Sequence, residues 1–510
     1  MMTDGVVQNL PIAIVAGMFA LFILSGLRNR NNQTTEYGFR GSYTGRVGIG
    51  AGIASNWMSA GSFLGLAGIF YLKGYLAMAY IVGWTGGYVL LLVLMATQIR
   101  RFGKFTAPDF IGFRYESDHA RTLAALVSIT IAVIYCVAQF RAIALVVSWL
   151  FGIAYIPAVI VGASLAVSFV VVSGALGVTR NQKLQYFVLI ITFILPLMLL
   201  NRKLGYFWVL PQFGYGAAIS ELHQQFGFYW SDPFATTSLF HWLALCFTLM
   251  FGTAGLPHVL SRFYMVPGIR DARWGVVWGL FFIALIYWSA PAYGALARLF
   301  EARQGGGFIT GTADSADLIV LTAASLGGLP LWAVGLLAAG GISAAFSTAA
   351  GLLMTGSASF SFDIYPRLIR PDASEQDKTF AAKGFFLILA AIVMVLTLQP
   401  WGMIAEIAAF AFALAGNTIF PAFLLGIWWP RANAPGVICG MLVGIVISFA
   451  AIIVGSGLPF VAYLFPTTSS AFIGAPLVMI VMIAVSLLTA PPSEAIRLFV
   501  SRNVHDCPEN

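Results

Sequence analysis

Apolar residues in this chain come in long, unbroken runs rather than in the one-sided stripes of a soluble helix. Crossing a ~30 Å hydrocarbon core takes about 20 helical residues, and runs of that length recur from one end of the chain to the other. Thirteen can be read, beginning at 8–27 and including 46–72, 121–151, 236–263 and 328–362, with the last at 470–490. A run that is apolar on every side faces lipid or other helices, and a continuous helix is the only open segment that satisfies its own backbone there. The pattern predicts an all-α polytopic membrane protein of about 13 transmembrane helices.

Polar positions inside the runs carry the next layer. The second run holds Gly48, Gly50, Gly52, Gly61, Gly65 and Gly68 around Ser55, Asn56, Ser59 and Ser62. Five runs later the seventh reads Met250-Phe251-Gly252-Thr253-Ala254-Gly255-Leu256-Pro257-His258, with two glycines and a proline at membrane depth. Transporters built on inverted repeats place their site at two interrupted helices in corresponding positions of the two halves, so an offset of five predicts a five-plus-five repeat. Any single glycine is also explained by close helix packing. Carbonyls freed by a break need partners, and a dehydrated cation is one. On this reading residues 1–45 form the first helix and its loop, and 46–260 the first repeat, the following outer loop and the start of the second repeat. Residues 236–432 then form the second repeat, and 433–510 two accessory helices and a tail.

Composition and charge narrow the class. Sixty percent of the 510 residues are apolar and 9% charged, against about 25% charged in a soluble domain, which excludes a water-soluble surface. Lys and Arg collect on cytoplasmic loops near helix ends. With the N-terminus outside, 21 of the 27 basic residues fall on inner segments, five (Lys73, Arg202, Lys203, Arg298 and Arg303) on outer ones, and Arg141 inside a run. This predicts a bacterial inner-membrane protein with a cytoplasmic C-terminus. Its first run, led by Asp4 without a basic residue, reads as a retained helix. The net charge of +8 is accounted for by that asymmetry and needs no nucleic-acid partner. Four cysteines, Cys507 among them, and five histidines show no metal-ligand spacing, and there are no paired carboxylates and no G-x-x-x-x-G-K-[ST] loop. An enzyme, a resident cofactor and an ATP-driven pump are therefore not expected, and energy must come from an ion gradient.

Candidate chemistry rests on few residues. Ser347 and Thr348 offer adjacent hydroxyl oxygens, with the Ala344 carbonyl one turn earlier, and hard cations favour oxygen ligands. The same hydroxyls can instead bond back to their own helix. Arg141 lies roughly 15 Å from the outer end of its run at ~1.5 Å per residue, where a charge costs about 2.5 to 3.5 kcal/mol. It reads as the counter-charge of an anionic substrate, or else as half of a structural pair with Glu406, the one acidic residue within a run, or with a ring of carbonyls. Gln139 is the other polar candidate there, although residues two apart on a helix point in opposed directions. His241 and Asn417 read as helix-to-helix hydrogen-bonding residues, and the outer connections near 202–235 and 299–327, with Phe228, Tyr229 and Trp230, as short interfacial helices or lids.

Nearly the whole chain resembles the sodium:solute symporter family, within it the acetate permease branch. The resemblance is carried by Trp57-Met58-Ser59-Ala60-Gly61-Ser62-Phe63-Leu64-Gly65, Gly103-Lys104-Phe105-Thr106-Ala107-Pro108-Asp109 and the 250–258 segment, with Ala350-Gly351-Leu352 and Asp363-Ile364-Tyr365 beside them. It implies a leucine-transporter-like core in the second to eleventh runs. It also implies a sodium site made by carbonyls of Ser55, Met58 and Ala344 and hydroxyls of Ser347 and Thr348, and a substrate site lined by Ser62, Thr85 and Gln139. The implied function is sodium-coupled import of a small organic anion such as acetate or pyruvate, with Na+ as the coupling ion. Two positions depart from that branch. Asn56 stands where acetate permeases usually carry Asp, and Arg141 where they carry an apolar residue, which favours a larger or more strongly anionic carboxylate. The alternatives are another solute such as a sugar acid or amino acid, proton coupling through Glu406, or a membrane sensor that binds without transport.

Overall fold

The structure is a computed structural model that describes residues 9–28, 46–102, 106–227, 232–234, 237–264, 269–304, 313–399, 401–453 and 466–505. Arg30, Arg40, Lys104, the aromatics Phe228, Tyr229 and Trp230, and Cys507 lie outside the described residues. All regular structure among the described residues is helical. Eleven helical stretches among the described residues are long and apolar enough to cross a membrane. The 46–72 and 236–263 runs do not appear as unbroken crossings, because each is divided.

Helix α1 (Asn9–Arg28) is followed by α2 (Arg46–Trp57), which stops at Met58 and Ser59. A π-helical turn, Gly61–Gly65, leads into α3 (Leu66–Lys73), and Gly74, at φ 58°, turns the chain towards α4 (Met78–Leu94). Two short helices follow, α5 (Ala96–Phe102) and α6 (Ala107–Arg114). The Thr106 hydroxyl caps α6 by accepting from the Asp109 N–H at 3.0 Å. Ser117 does the same for α7 (Asp118–Phe151). Helix α8 (Tyr155–Leu204) turns back on itself at Gly174, at φ 68° and ψ 168°, so that Phe169 on one limb and Asn181 on the other both reach Phe22. A side chain would be strained there, and glycine is not.

Helix α9 (Pro211–Phe226) lies in a connection. Helices α10 (Leu239–Gly255) and α11 (Pro257–Tyr264) are parted at Leu256, whose backbone is extended at φ −69° and ψ 119°. Then come α12 (Ile269–Arg303), the short α13 (Ala313–Asp317) and α14 (Ile319–Leu326), and α15 (Leu331–Ala358), which continues as a π-helix to Ile369. Helices α16 (Glu375–Thr397), α17 (Ile404–Asn417), α18 (Ile419–Trp428), α19 (Ala434–Ile453), α20 (Ala471–Leu488) and α21 (Glu494–His505) complete the chain.

Packing is reciprocal, as two inverted repeats require. The first broken helix lies on α12, where Gly50 meets Trp278, and the second lies on α4, where Gly83 meets Cys246 and Gly87 meets Thr253. The corresponding helices α7 and α15 pack against each other. Glycine at these crossings serves close approach, so the packing explanation holds for individual glycines while the breaks hold for the pair of helices. Helix α15 is the axis of the bundle, with 94% of its apolar window buried against 22% for α1.

One buried arginine fastens the two repeats. Arg114, at the end of α6, is fully buried and donates from Nε to the Gly426 carbonyl at 2.6 Å, from Nη2 to Trp429 at 2.9 Å and from Nη1 to Ala432 at 3.1 Å. It therefore meets one carbonyl in the last turn of α18 and two in the segment that follows it.

Candidate functional site

Both breaks fall where glycine, serine and proline interrupt the apolar runs, and the first faces the hydroxyl pair of α15. Because α2 ends at Trp57, the carbonyls of Ser55 and Asn56 are turned out of their ladder. Ser347 Oγ donates to the Ser55 carbonyl at 2.8 Å and to the Ala344 carbonyl of its own helix at 3.0 Å. Thr348 Oγ1 lies 3.4 Å from the Asn56 carbonyl. All of these residues are buried. Met58 sits at the break itself, its N–H bonded to the Ala54 carbonyl at 2.7 Å. The result is a patch of neutral oxygens from two helices, with the Ser347 hydroxyl both back-bonded and bridging. A small cation needs oxygens of this kind in place of its water shell.

Between the two breaks lies a cluster of aromatic rings. Trp57 packs edge-on against Tyr88 with centroids 4.7 Å apart and against Phe412 at 5.7 Å, Trp84 stacks on Tyr287 at 5.7 Å, and Tyr135 touches Phe412 at 5.6 Å and His258 at 5.7 Å. Ser62 Oγ reaches the Tyr287 hydroxyl at 3.1 Å. Gln139 is fully buried, and its Oε1 accepts the Ala60 N–H at 3.0 Å, a donor that the break deprives of its helical partner. Ser62 and Gln139 are thus brought together around the first break. Thr85 is half-buried on α4, next to Trp84 in the chain, and no hydrogen bond among the described residues joins it to the other two.

Arg141 goes elsewhere. Its guanidinium is 1% exposed and lies 2.5 Å from Asp314 Oδ1 and 3.7 Å from Asp317 Oδ2, both on α13 in the 299–327 connection. Asp317 is completely buried and also accepts the Ile404 N–H at 3.0 Å, capping α17. Burial raises the Asp317 carboxyl from 3.8 to about 8, against the lowering pull of Arg141 and the Ile404 N–H. Glu406 pairs instead with Lys73 at 3.1 Å, both side chains more than a third exposed. Nearby, a cleft of about 440 Å3 is lined by Lys73, Thr237, His241, Trp242 and Ser469, beyond the C-terminal end of α3 rather than at the breaks.

Sequence reasoning passed over three features. The Asp314 and Asp317 pair is the first; its signal is two carboxylates three residues apart, on one face of a helical turn, in a chain with an uncompensated Arg141. The aromatic cluster is the second, visible only as rings scattered through Gly- and Ala-rich runs. The third lies at the opposite end of α15, where Thr106 Oγ1 donates to Asp363 Oδ2 at 2.8 Å and Arg121 approaches Asp363 at 3.8 Å and pairs with Asp109.

The sequence and fold both have known relatives. A profile described as the sodium:solute symporter family matches residues 39–444. An uncharacterised symporter of Cupriavidus necator is 28% identical over 94% of this chain and 92% of the relative, and the uncharacterised symporter YwcA of Bacillus subtilis is 29% identical over 85% and 83%. Among solved structures, a Na+-coupled sialic acid symporter in its substrate-bound outward-open state superposes with a TM-score of 0.77, at 18% identity, over 95% of this chain and 99% of that one. That likeness shows a leucine-transporter-like fold. The chain is a multi-pass membrane protein that belongs to the sodium:solute symporter family, and hence a sodium-coupled transporter.

Proposed function

We propose that this protein imports a small organic anion, such as the monocarboxylates acetate or pyruvate, with sodium, by alternating access in a bacterial inner membrane. The proposal includes thirteen crossings, with the N-terminus outside and the C-terminus in the cytoplasm. Sodium is a co-transported ion, held by the carbonyls of Ser55, Met58 and Ala344 and the hydroxyls of Ser347 and Thr348. The observation that carries the proposal is the meeting of the Ser347 hydroxyl with the Ser55 carbonyl, 2.8 Å apart at a helix break. On entry of the ion the hydroxyl proton turns away and the oxygen lone pairs face the charge. The ion then ties α2 to α15, which favours one of the two states that rocking interconverts.

Substrate recognition is assigned to Ser62, Gln139 and Thr85 around the aromatic cluster, with Arg141 as the charge that meets the acid. In the conformation described, Asp314 holds that guanidinium. Asp314 is the exchangeable partner, because its side chain is 54% exposed while that of Asp317 is buried. A substrate carboxylate would replace it when α13 lifts. Purified protein in liposomes should accumulate radiolabelled acetate or pyruvate only under an inward sodium gradient. Uptake of either acid that ignores sodium would refute the coupling, and sodium-driven uptake of a sugar acid or amino acid in their place would move the substrate assignment.

A further inference from the structure

Three buried side chains near Ser347 carry polar atoms without a hydrogen-bond partner among the described residues: Ser55 Oγ, Ser343 Oγ and both amide atoms of Gln185. Gln185 stands out, since a primary amide has two donors and an acceptor to satisfy and this one is completely buried.

Helix register puts Gln185 level with Ser347. The second limb of α8 runs antiparallel to α1, because Gly177 meets the Gly26 carbonyl while Asn181 Nδ2 donates to the Phe22 carbonyl. Helix α1 in turn runs parallel to α15, because Gly335 meets Pro11 while Phe346 meets Phe19. The second limb of α8 and α15 are therefore antiparallel, and they touch where Gly340 abuts Thr192 Oγ1. Seven residues further along α15 is Ser347, and seven residues back along α8 is Gln185. Seven residues are close to two full turns, so both stay on the touching faces. One turn beyond Gln185, Gln182 Nε2 lies 3.4 Å from Asn56 Oδ1, which brings this limb of α8 against the broken end of α2.

We propose that Gln185, together with Ser343, holds the water that completes the coordination shell of the cation at Ser347, and so helps set its affinity and its choice among alkali ions. The amide oxygen polarises that water towards the ion, and the amide nitrogen fixes it against α15. The inference rests on the Ser347 patch being the cation site. It extends that site to a third helix, α8, through a residue that is neutral and so does not compete for protons.

Equilibrium binding of radiolabelled sodium to the purified full chain, with choline chloride holding ionic strength, tests this without any organic substrate. Gln185→Leu keeps the volume and removes the dipole, and it should weaken sodium binding at least tenfold and flatten the preference for sodium over lithium in competition. Gln185→Glu adds a charge in the same place and should tighten sodium binding at least threefold, a gain that a merely structural amide would not produce. Unchanged affinity and unchanged sodium-to-lithium preference in either variant that folds would overturn the role of Gln185 while leaving the Ser347 site standing. Wild-type protein that binds no sodium would overturn both, which separates the two failures.

Discussion

The oxygen patch at the first break and the Arg141 cluster lie in one bundle and solve the problem of polarity in a membrane in opposite ways. The first assembles neutral oxygens from Ser55, Asn56, Ala344, Ser347 and Thr348 and carries no formal charge of its own. It favours a guest that brings one positive charge. The second places a guanidinium between two carboxylates, one buried and one half in water. Burial keeps Asp317 protonated up to about pH 8, so Arg141 and Asp314 balance at neutral pH without a guest. A site that is complete in itself can only exchange partners, whereas a site of unmatched dipoles can take one up. The contrast agrees with the proposed division, ion binding at the first and acid exchange at the second.

The largest test removes the neutral oxygens. Ser347→Ala with Thr348→Ala should lower sodium affinity about 100-fold or more, taking roughly 1.5–3 kcal/mol for each group facing a charge, and should abolish sodium-driven uptake. A double variant that still concentrates substrate on a sodium gradient would place the ion elsewhere, and one that does so on a proton gradient would favour proton coupling.

Removing the charge at Arg141 tests the other side of the comparison. Arg141→Gln removes the cation that Asp314 and Asp317 share, and should lower the melting temperature of purified protein, more so above about pH 8, where Asp317 is ionised, than at neutral pH. Adding Asp317→Asn should restore much of it. If Arg141→Gln alone melts normally and only acid uptake fails, the residue is purely a recognition group. If melting and uptake are both unaffected, the cluster has neither role.

A smaller effect follows from pH. Asp317 released from α13's buried seat returns towards an ordinary carboxylate value, so the closed cluster holds the proton more tightly than the open one. Its stabilisation is complete below about pH 4, and it is lost as pH rises towards about 8, by about 1.4 kcal/mol per unit at most. The melting temperature of wild-type protein should therefore fall more between about pH 6 and about pH 8 than that of Asp317→Asn. Parallel curves would show that the proton on Asp317 is irrelevant to closure. Least affected should be Lys73→Ala, because its pair with Glu406 is more than a third exposed on both sides and such pairs contribute about 0–1 kcal/mol.

What the chain reveals by reading follows the same division. Breaks at Met58–Ser59 and Leu256 are legible because lipid penalises freed backbone groups, so glycine, serine and proline at that depth stand out against leucine and valine. The all-helical, inverted-repeat fold is legible for the same reason, through runs that have no soluble use. Arg141 is conspicuous, but its partners are not: Asp314 and Asp317 lie more than 170 residues away in a connection that has no periodicity, and only folding joins them. Arg114 misleads in the opposite direction. It reads as one more cytoplasmic charge and is fully buried.

That residue constrains how the bundle can move. The last turn of α18 and the turn after it take three hydrogen bonds from a single side chain of α6, and parting the two would strand a buried cation. Motions that expose the site to either side must therefore carry these two ends as one piece, with the flexing confined to segments whose backbone is already interrupted.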